Sequence, residues 1–126
     1  MRTLLVAAAL LGAAGCATTT ERPRPETAEP APASAATRFL DAVEAARWDD
    51  AFLLLSERWR ASLTPARLAA DWEQGGALAA DRLERARLAL REQPRREGDR
   101  VRFGAAGGSG LVLVEEPGGW RVDGFE

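Results

Sequence analysis
The hydrophobic period of this chain changes once, at Gly98, and that change limits the fold more than any other feature. Upstream, apolar residues recur every three to four positions. Downstream, they recur every second position. A chain patterned in this way places helices first and a sheet last. The expected class is α+β: three to four N-terminal helices, then a three-stranded antiparallel meander.

The helical part divides by its own punctuation. Thr37 to Arg47 carries Phe39, Leu40 and Val43 on one face, extended by Ala36 and Ala46, with Ser34 as the expected N-cap. Asp49 or Asp50 caps a second helix from Ala51 to about Ala61, whose apolar face holds Phe52, Leu55 and Trp59. Acidic residues at a helix start are favoured by the exposed amides and the helix dipole. The Asp pair therefore reads as a helix start rather than as an acid–base dyad or a metal site. Thr64-Pro65 restarts the chain as a third helix, with Thr as cap and Pro where its missing N–H costs nothing. Leu68 and Trp72 share its face, and Gly75-Gly76 stops it. Ala77 to Glu92 is built of strong helix formers and favours helix, although Ala86, Leu88 and Leu90 also alternate as a strand would. Pro94 closes this part.

After Gly98 the strands follow. Val101 and Phe103 alternate with Arg100 and Arg102. Leu111 to Val114 is apolar on both faces and is the expected central strand. Pro117-Gly118-Gly119 turns the chain into Trp120 to Asp123, which alternates, and Phe125 closes it. Gly104, Gly107, Gly108 and Gly110 lie between two strands, and no Lys follows them. They read as hairpin glycines, not as a phosphate cradle.

The N-terminal third is of another kind. Met1-Arg2 precedes an apolar run from Leu4 to Ala14, too short for a bilayer span of about 20 residues. The run ends in Ala13-Ala14-Gly15-Cys16. This resembles a bacterial lipoprotein signal, with Ala13 standing where that family most often has Leu. The resemblance implies a signal peptide over residues 1–15, lipidation at Cys16, and attachment to a membrane through acyl chains on that residue. It also implies export to the cell envelope. Ala17 follows the cysteine, where an Asp would signal inner-membrane retention, so the expected location is the periplasmic face of the outer membrane. Several acyl chains at one site hold a protein firmly, because each buried methylene adds about 0.8 kcal/mol. Residues 16–35 then form a linker with Pro23, Pro25, Pro30 and Pro32 and no large apolar residue. Extended, it reaches on the order of 50 Å. The folded domain is expected over residues 36–126.

Composition removes several chemistries. The chain has no His, and its 17 basic residues are all Arg. The commonest general base, the commonest metal ligand and the Schiff-base amine are therefore missing. The single cysteine permits neither an intrachain disulfide nor a thiolate metal site. No catalytic residue, metal or cofactor is expected. A net charge of −2, together with export, argues against nucleic acid as partner. The charge is unevenly spread: Arg82 to Arg102 holds eight Arg against four acids, whereas the stretch from Leu111 is net acidic. Such a basic stretch is a solvated face or a surface for an anionic partner.

The segments FLDAVEAARW, DDAFLLLSERWRASLTPARLAADW and LVLVEEPGGWRVDGF together resemble nuclear transport factor 2-like, or SnoaL-like, domains. The likeness covers about Thr37 to Phe125. It implies a cone-shaped α+β domain with an internal pocket. Enzymatic members place Tyr, His or paired acids in that pocket, and this chain has no Tyr or His. The anchor, the tether and the missing catalytic types point to a non-catalytic envelope domain that binds a protein or envelope component. The alternative is a module for a small apolar ligand, with Trp48, Trp72 and Trp120 lining its pocket.

Overall fold
A computed structural model describes residues 31–105 and 110–125. Cys16, the leader and nearly all of the linker lie outside these residues, as do Gly107 and Gly108. The order of elements is helices α1 (Pro32–Glu44), α2 (Trp48–Leu53), α3 (Glu57–Ser62) and α4 (Pro65–Ala89), then strands β1 (Arg95–Glu97), β2 (Arg100–Phe103), β3 (Leu111–Glu116) and β4 (Gly119–Phe125). The class is α+β, with the helices first and an antiparallel sheet of order β1-β2-β3-β4.

Helix α1 starts at Pro32, three residues before the end of the expected linker, and Ser34 does not cap it. Proline at the first helical position lacks only an N–H that would have had no partner there. One face buries Ala36, Phe39, Leu40 and Val43 against β3 and β4. Each of the larger side chains contributes about 1.5–3 kcal/mol by leaving water. The helix ends at Glu44, with Ala45 as its C-cap. Ala46 turns left-handed at φ 56°, Arg47 N–H donates to Ala42 O, and Ala46 N–H donates to Val43 O. These are the paired bonds of a Schellman motif, here without glycine.

The expected helix from Ala51 to Ala61 is two short helices. Between them Leu54 closes α2 in helical conformation, and Leu55 and Ser56 pass beside β4, Leu55 bridging Val122. Ser56 N–H donates to Val122 O at 2.8 Å, and Val122 N–H donates to Leu54 O at 2.8 Å. Peptide groups bonded to a strand are not available to a helix, so the apolar run breaks where it meets the sheet. The Ser56 hydroxyl does not cap α3 but bonds to Asp123. The Glu57 amide at the start of α3 donates instead to the Glu116 carboxylate at 2.8 Å.

Thr64 caps α4 as expected, its hydroxyl accepting from Arg67 N–H at 3.1 Å. Gly75-Gly76 bends this helix rather than separating two elements. Gly76 has φ 49° and ψ −124°, and helix resumes on both sides of it. The stretch from Ala77 is helical to Ala89, with Ala79, Ala86 and Ala89 buried.

Among the described residues the sheet has four strands, not three. The additional strand is Arg95-Arg96-Glu97, paired with β2 across a turn at Gly98 and Asp99. All three of its residues are exposed. It therefore carries no hydrophobic period to read, and its charges suit an edge that must not recruit another strand. Strand β3 is interior, with Leu111, Val112 and Leu113 buried, as its two-sided apolar character required. The core gathers Phe39, Leu40, Phe103, Leu111, Leu113 and Val122 between α1 and the sheet.

The Gly76 conformation lies outside what side-chain-bearing residues adopt at low cost. Nothing stands within 4 Å of a Cβ built there, so the cost is in the backbone and not in crowding. Gly76→Ala is expected to lower stability by roughly 1–3 kcal/mol in urea denaturation. An unchanged midpoint would mean that α4 is not bent in solution.

Candidate functional site
Because α3 and α4 are held away from the sheet by the Leu54–Ser56 segment and the bend at Gly76, a space remains between them and β4. This cavity measures about 470 Å³. Phe39 of α1, Trp59 of α3, Leu63, Leu68 and Trp72 of α4, and Phe125 of β4 form its apolar wall. A further hollow of about 240 Å³ lies in the elbow of α4, between Leu68, Trp72 and Gly75 on one limb and Leu78, Ala79 and Arg82 on the other. The two share Leu68, Asp71, Trp72 and Arg82.

Aromatic rings run along one side. Phe39 and Phe125 are 6.1 Å apart between centroids, Phe125 and Trp72 6.1 Å, and Trp72 and Trp48 6.5 Å, each pair tilted by about 50°. These are separations at which tilted rings attract. Trp48 is the first residue of α2. It backs Trp72 and does not line the cavity.

The polar end of the cavity is organised by Asp123. Strand β4 has one more residue than β3 opposite the Val112–Leu113 step, where Leu113 pairs with Val122 and Val112 with Gly124. The extra residue of such a bulge leaves the alternation of the strand. Val122 can thus stay in the core while the Asp123 carboxylate, 6% exposed, meets the helices. Ser56 Oγ donates to its Oδ1 at 2.7 Å, Arg58 Nε to the same oxygen at 3.3 Å, and Arg100 to Oδ2 at 2.8 Å. Its main-chain carbonyl accepts from Arg58 at 3.0 Å and from the Trp59 indole N–H. Burial pushes the Asp123 carboxyl up. The Ser56 hydroxyl and the Arg58 and Arg100 guanidinium groups outweigh burial and hold it below its ordinary value of 3.8. The carboxylate is fully committed, so it is a fixed anion and not a proton carrier.

The three tryptophans expected to line one pocket do not meet. Trp72 lines the cavity and Trp48 supports it from behind. Trp120 is buried at 5% exposure, beneath the Arg96 guanidinium at 5.5 Å, and borders a different depression. Trp59, which reads as a core residue on its helix face, is instead a cavity wall with its N–H tied to β4. The sequence signal for it was the Arg58-Trp59 pair; the guanidinium lies 4.9 Å from the ring centroid. Asp49 and Asp50 stand in the first turn of α2 and line no apolar cavity. The basic and acidic blocks answer each other across the fold: Arg96 pairs with Glu115 at 3.0 Å and Arg100 with Asp123. Cys16 lies outside the described residues. Among those residues no group of three His, Cys, Asp or Glu side chains is placed to hold a metal ion.

Comparison with known proteins gives no match, whether to a family profile, a curated protein or a solved structure.

The Asp123 cluster sets a pH dependence. Its folded value lies below the unfolded one, so its contribution is fully present above about pH 4 and drains away as pH falls through the folded value. Asp123→Asn is expected to cost roughly 1–3 kcal/mol at neutral pH. The lower part of that range applies, since Arg58 and Arg100 are 65% and 53% exposed. Denaturation midpoints between pH 7 and pH 2 should show the wild-type advantage shrinking as acid is added. A constant difference across that range would show that the carboxylate's charge is not what matters.

Proposed function
We propose that this chain is an exported lipoprotein whose folded domain binds a small apolar ligand in the cavity between α3, α4 and β4. The observation that carries the proposal is the aromatic-walled space itself. The Trp72 and Phe125 rings meet and the Trp59 indole is bonded to β4, yet these contacts do not close the space that the three side chains border. Here they border about 470 Å³ of open volume, within the size range of ligand pockets. A cavity between a helical layer and an antiparallel sheet is also what the resemblance to nuclear transport factor 2-like domains implies. Four strands make a smaller sheet than the full curved one of that family.

Binding without catalysis fits the chemistry of the wall. Its carboxylates are Asp71, paired with Arg67 at 2.8 Å, and Asp123, held by Ser56 and two arginines. The location is carried by the lipobox-like Ala13-Ala14-Gly15-Cys16 and the Pro-rich linker. An acyl group on Cys16 would hold the domain at the periplasmic face of the outer membrane, within a tether's length of apolar solutes that partition there. A protein or other envelope partner is the competing reading. The presence of a cavity favours the ligand.

Gly124 gives a direct test. It lines the cavity, and a Cβ built there finds nothing within 4 Å, so a larger side chain has room to enter. The full chain carrying Cys16→Ser, which removes the site of acylation, should bind N-phenyl-1-naphthylamine saturably, with energy transfer from tryptophan. Gly124→Leu should abolish that binding with the circular dichroism spectrum unchanged. Probe binding that survives Gly124→Leu, or none in the parent, overturns the ligand reading. For the anchor, mass spectrometry of the native chain should find an acylated N-terminal fragment beginning at Cys16; cleavage after Ala17 would exclude it.

A further inference from the structure
A second cavity, of about 540 Å³, shares no lining residue with the apolar one. It lies among α1, α2 and the β3–β4 turn, and three arginines border it: Arg38, Arg47 and Arg121. Two acids border it as well, but both are engaged. Asp41 is bonded to Arg87 at 2.7 Å, and Asp50 faces Arg47 at 3.8 Å. Arg38 and Arg121 have no acidic partner among the described residues.

Arg121 is the informative one. It is half-buried, and its Nε is buried without a hydrogen-bond partner. Its terminal nitrogens donate to two main-chain carbonyls, Trp120 O at 3.0 Å and Gly118 O at 3.1 Å. Carbonyls orient a guanidinium but do not neutralise it. A charge withdrawn from water normally has a counter-charge, because burying it alone is costly. Among the other half-buried arginines, Arg60, whose Nε is likewise buried without a hydrogen bond, meets Glu116, and Arg87 meets Asp41 and Glu44. Glycine at residue 118 lets the Arg121 guanidinium lie against the turn. A Cβ there would come within 2.9 Å of its terminal nitrogen.

We propose that this cavity binds the oxyanion group of a small solute, a phosphate or a carboxylate, between Arg121 and Arg38. Arg121 supplies a fork of donors anchored on the turn and Arg38 an exposed one from α1. Guanidinium groups suit such planar or tetrahedral oxyanions through paired charge-assisted hydrogen bonds. The site is independent of the apolar cavity, and its ligand need not be the same molecule.

The test is calorimetric titration of the full chain with sodium phosphate and, separately, sodium acetate, at constant ionic strength. Saturable binding of at least one of them is expected. Arg121→Gln should weaken it roughly tenfold, the loss usual for one charge-assisted contact. Arg38→Gln, on an exposed helix position, should also weaken it and serves where Arg121→Gln fails to fold. Gly118→Ala should weaken it while leaving every charge in place. Arg91→Gln, an exposed arginine away from the cavity, should have no effect. Absence of saturable binding of both anions, or an equal loss in Arg91→Gln, overturns the proposal.

Discussion
The backbone pairing of Leu54 and Ser56 with Val122 is the contact on which the rest of this structure depends. Two hydrogen bonds tie a segment from the helical half to the last strand. They interrupt what would otherwise be one amphipathic helix. They also cover the outer edge of β4, which would otherwise present unpaired backbone groups. By setting where α3 begins, they set where Trp59 stands, and so where the cavity opens. The Asp123 network lies beside this pairing and reinforces it: Ser56, Arg58 and Trp59 all reach the same residue. Backbone bonds fix the approach of the two halves, and the buried carboxylate fixes their rotation.

That carboxylate also explains how a chain rich in arginine folds compactly. The basic stretch from Arg82 and the acidic stretch from Leu111 repel themselves internally when read along the sequence. Folding as a meander brings Arg96 to Glu115 and Arg100 to Asp123. Exposed pairs of this kind contribute little each. The Asp123 end is different, because the acid itself is out of water and must be met. At Arg121, which has no acidic partner among the described residues, a cation borders an open cavity. Where compensation is present, at Asp123, the charge is spent on structure.

Much of this was legible because local physics dictated it. The apolar face of α1 follows from the spacing of Phe39, Leu40 and Val43. Thr64-Pro65 is a helix start by its hydrogen-bonding chemistry alone. Leu111 to Leu113 is apolar on both faces and is interior. The failures share one physical origin. Strand β1 has no buried side chain, so it leaves no periodic trace. Trp59 and Leu55 share a helical face in the sequence, and nothing local reveals that strand β4 competes for the backbone between them. Trp48, Trp72 and Trp120 look alike as bulky residues, yet only one lines the apolar cavity, because alignment of distant elements decides what a large side chain borders.

The sequence by itself determined the kinds of element, their order and the chemistry that the chain lacks. Those depend on side-chain period, on capping residues and on composition, which are properties of neighbours in the chain. The tertiary structure decided the break at Leu54 to Ser56, the bulge that directs Asp123 inward, the bend at Gly76 put to use as a cavity wall, and the placing of Arg121 beside a cavity. The break and the inward turn of Asp123 arise where a backbone group or a charge finds a partner more than 50 residues away in the chain. Such partnerships carry no local signal, because their free energy exists only once the two halves have met.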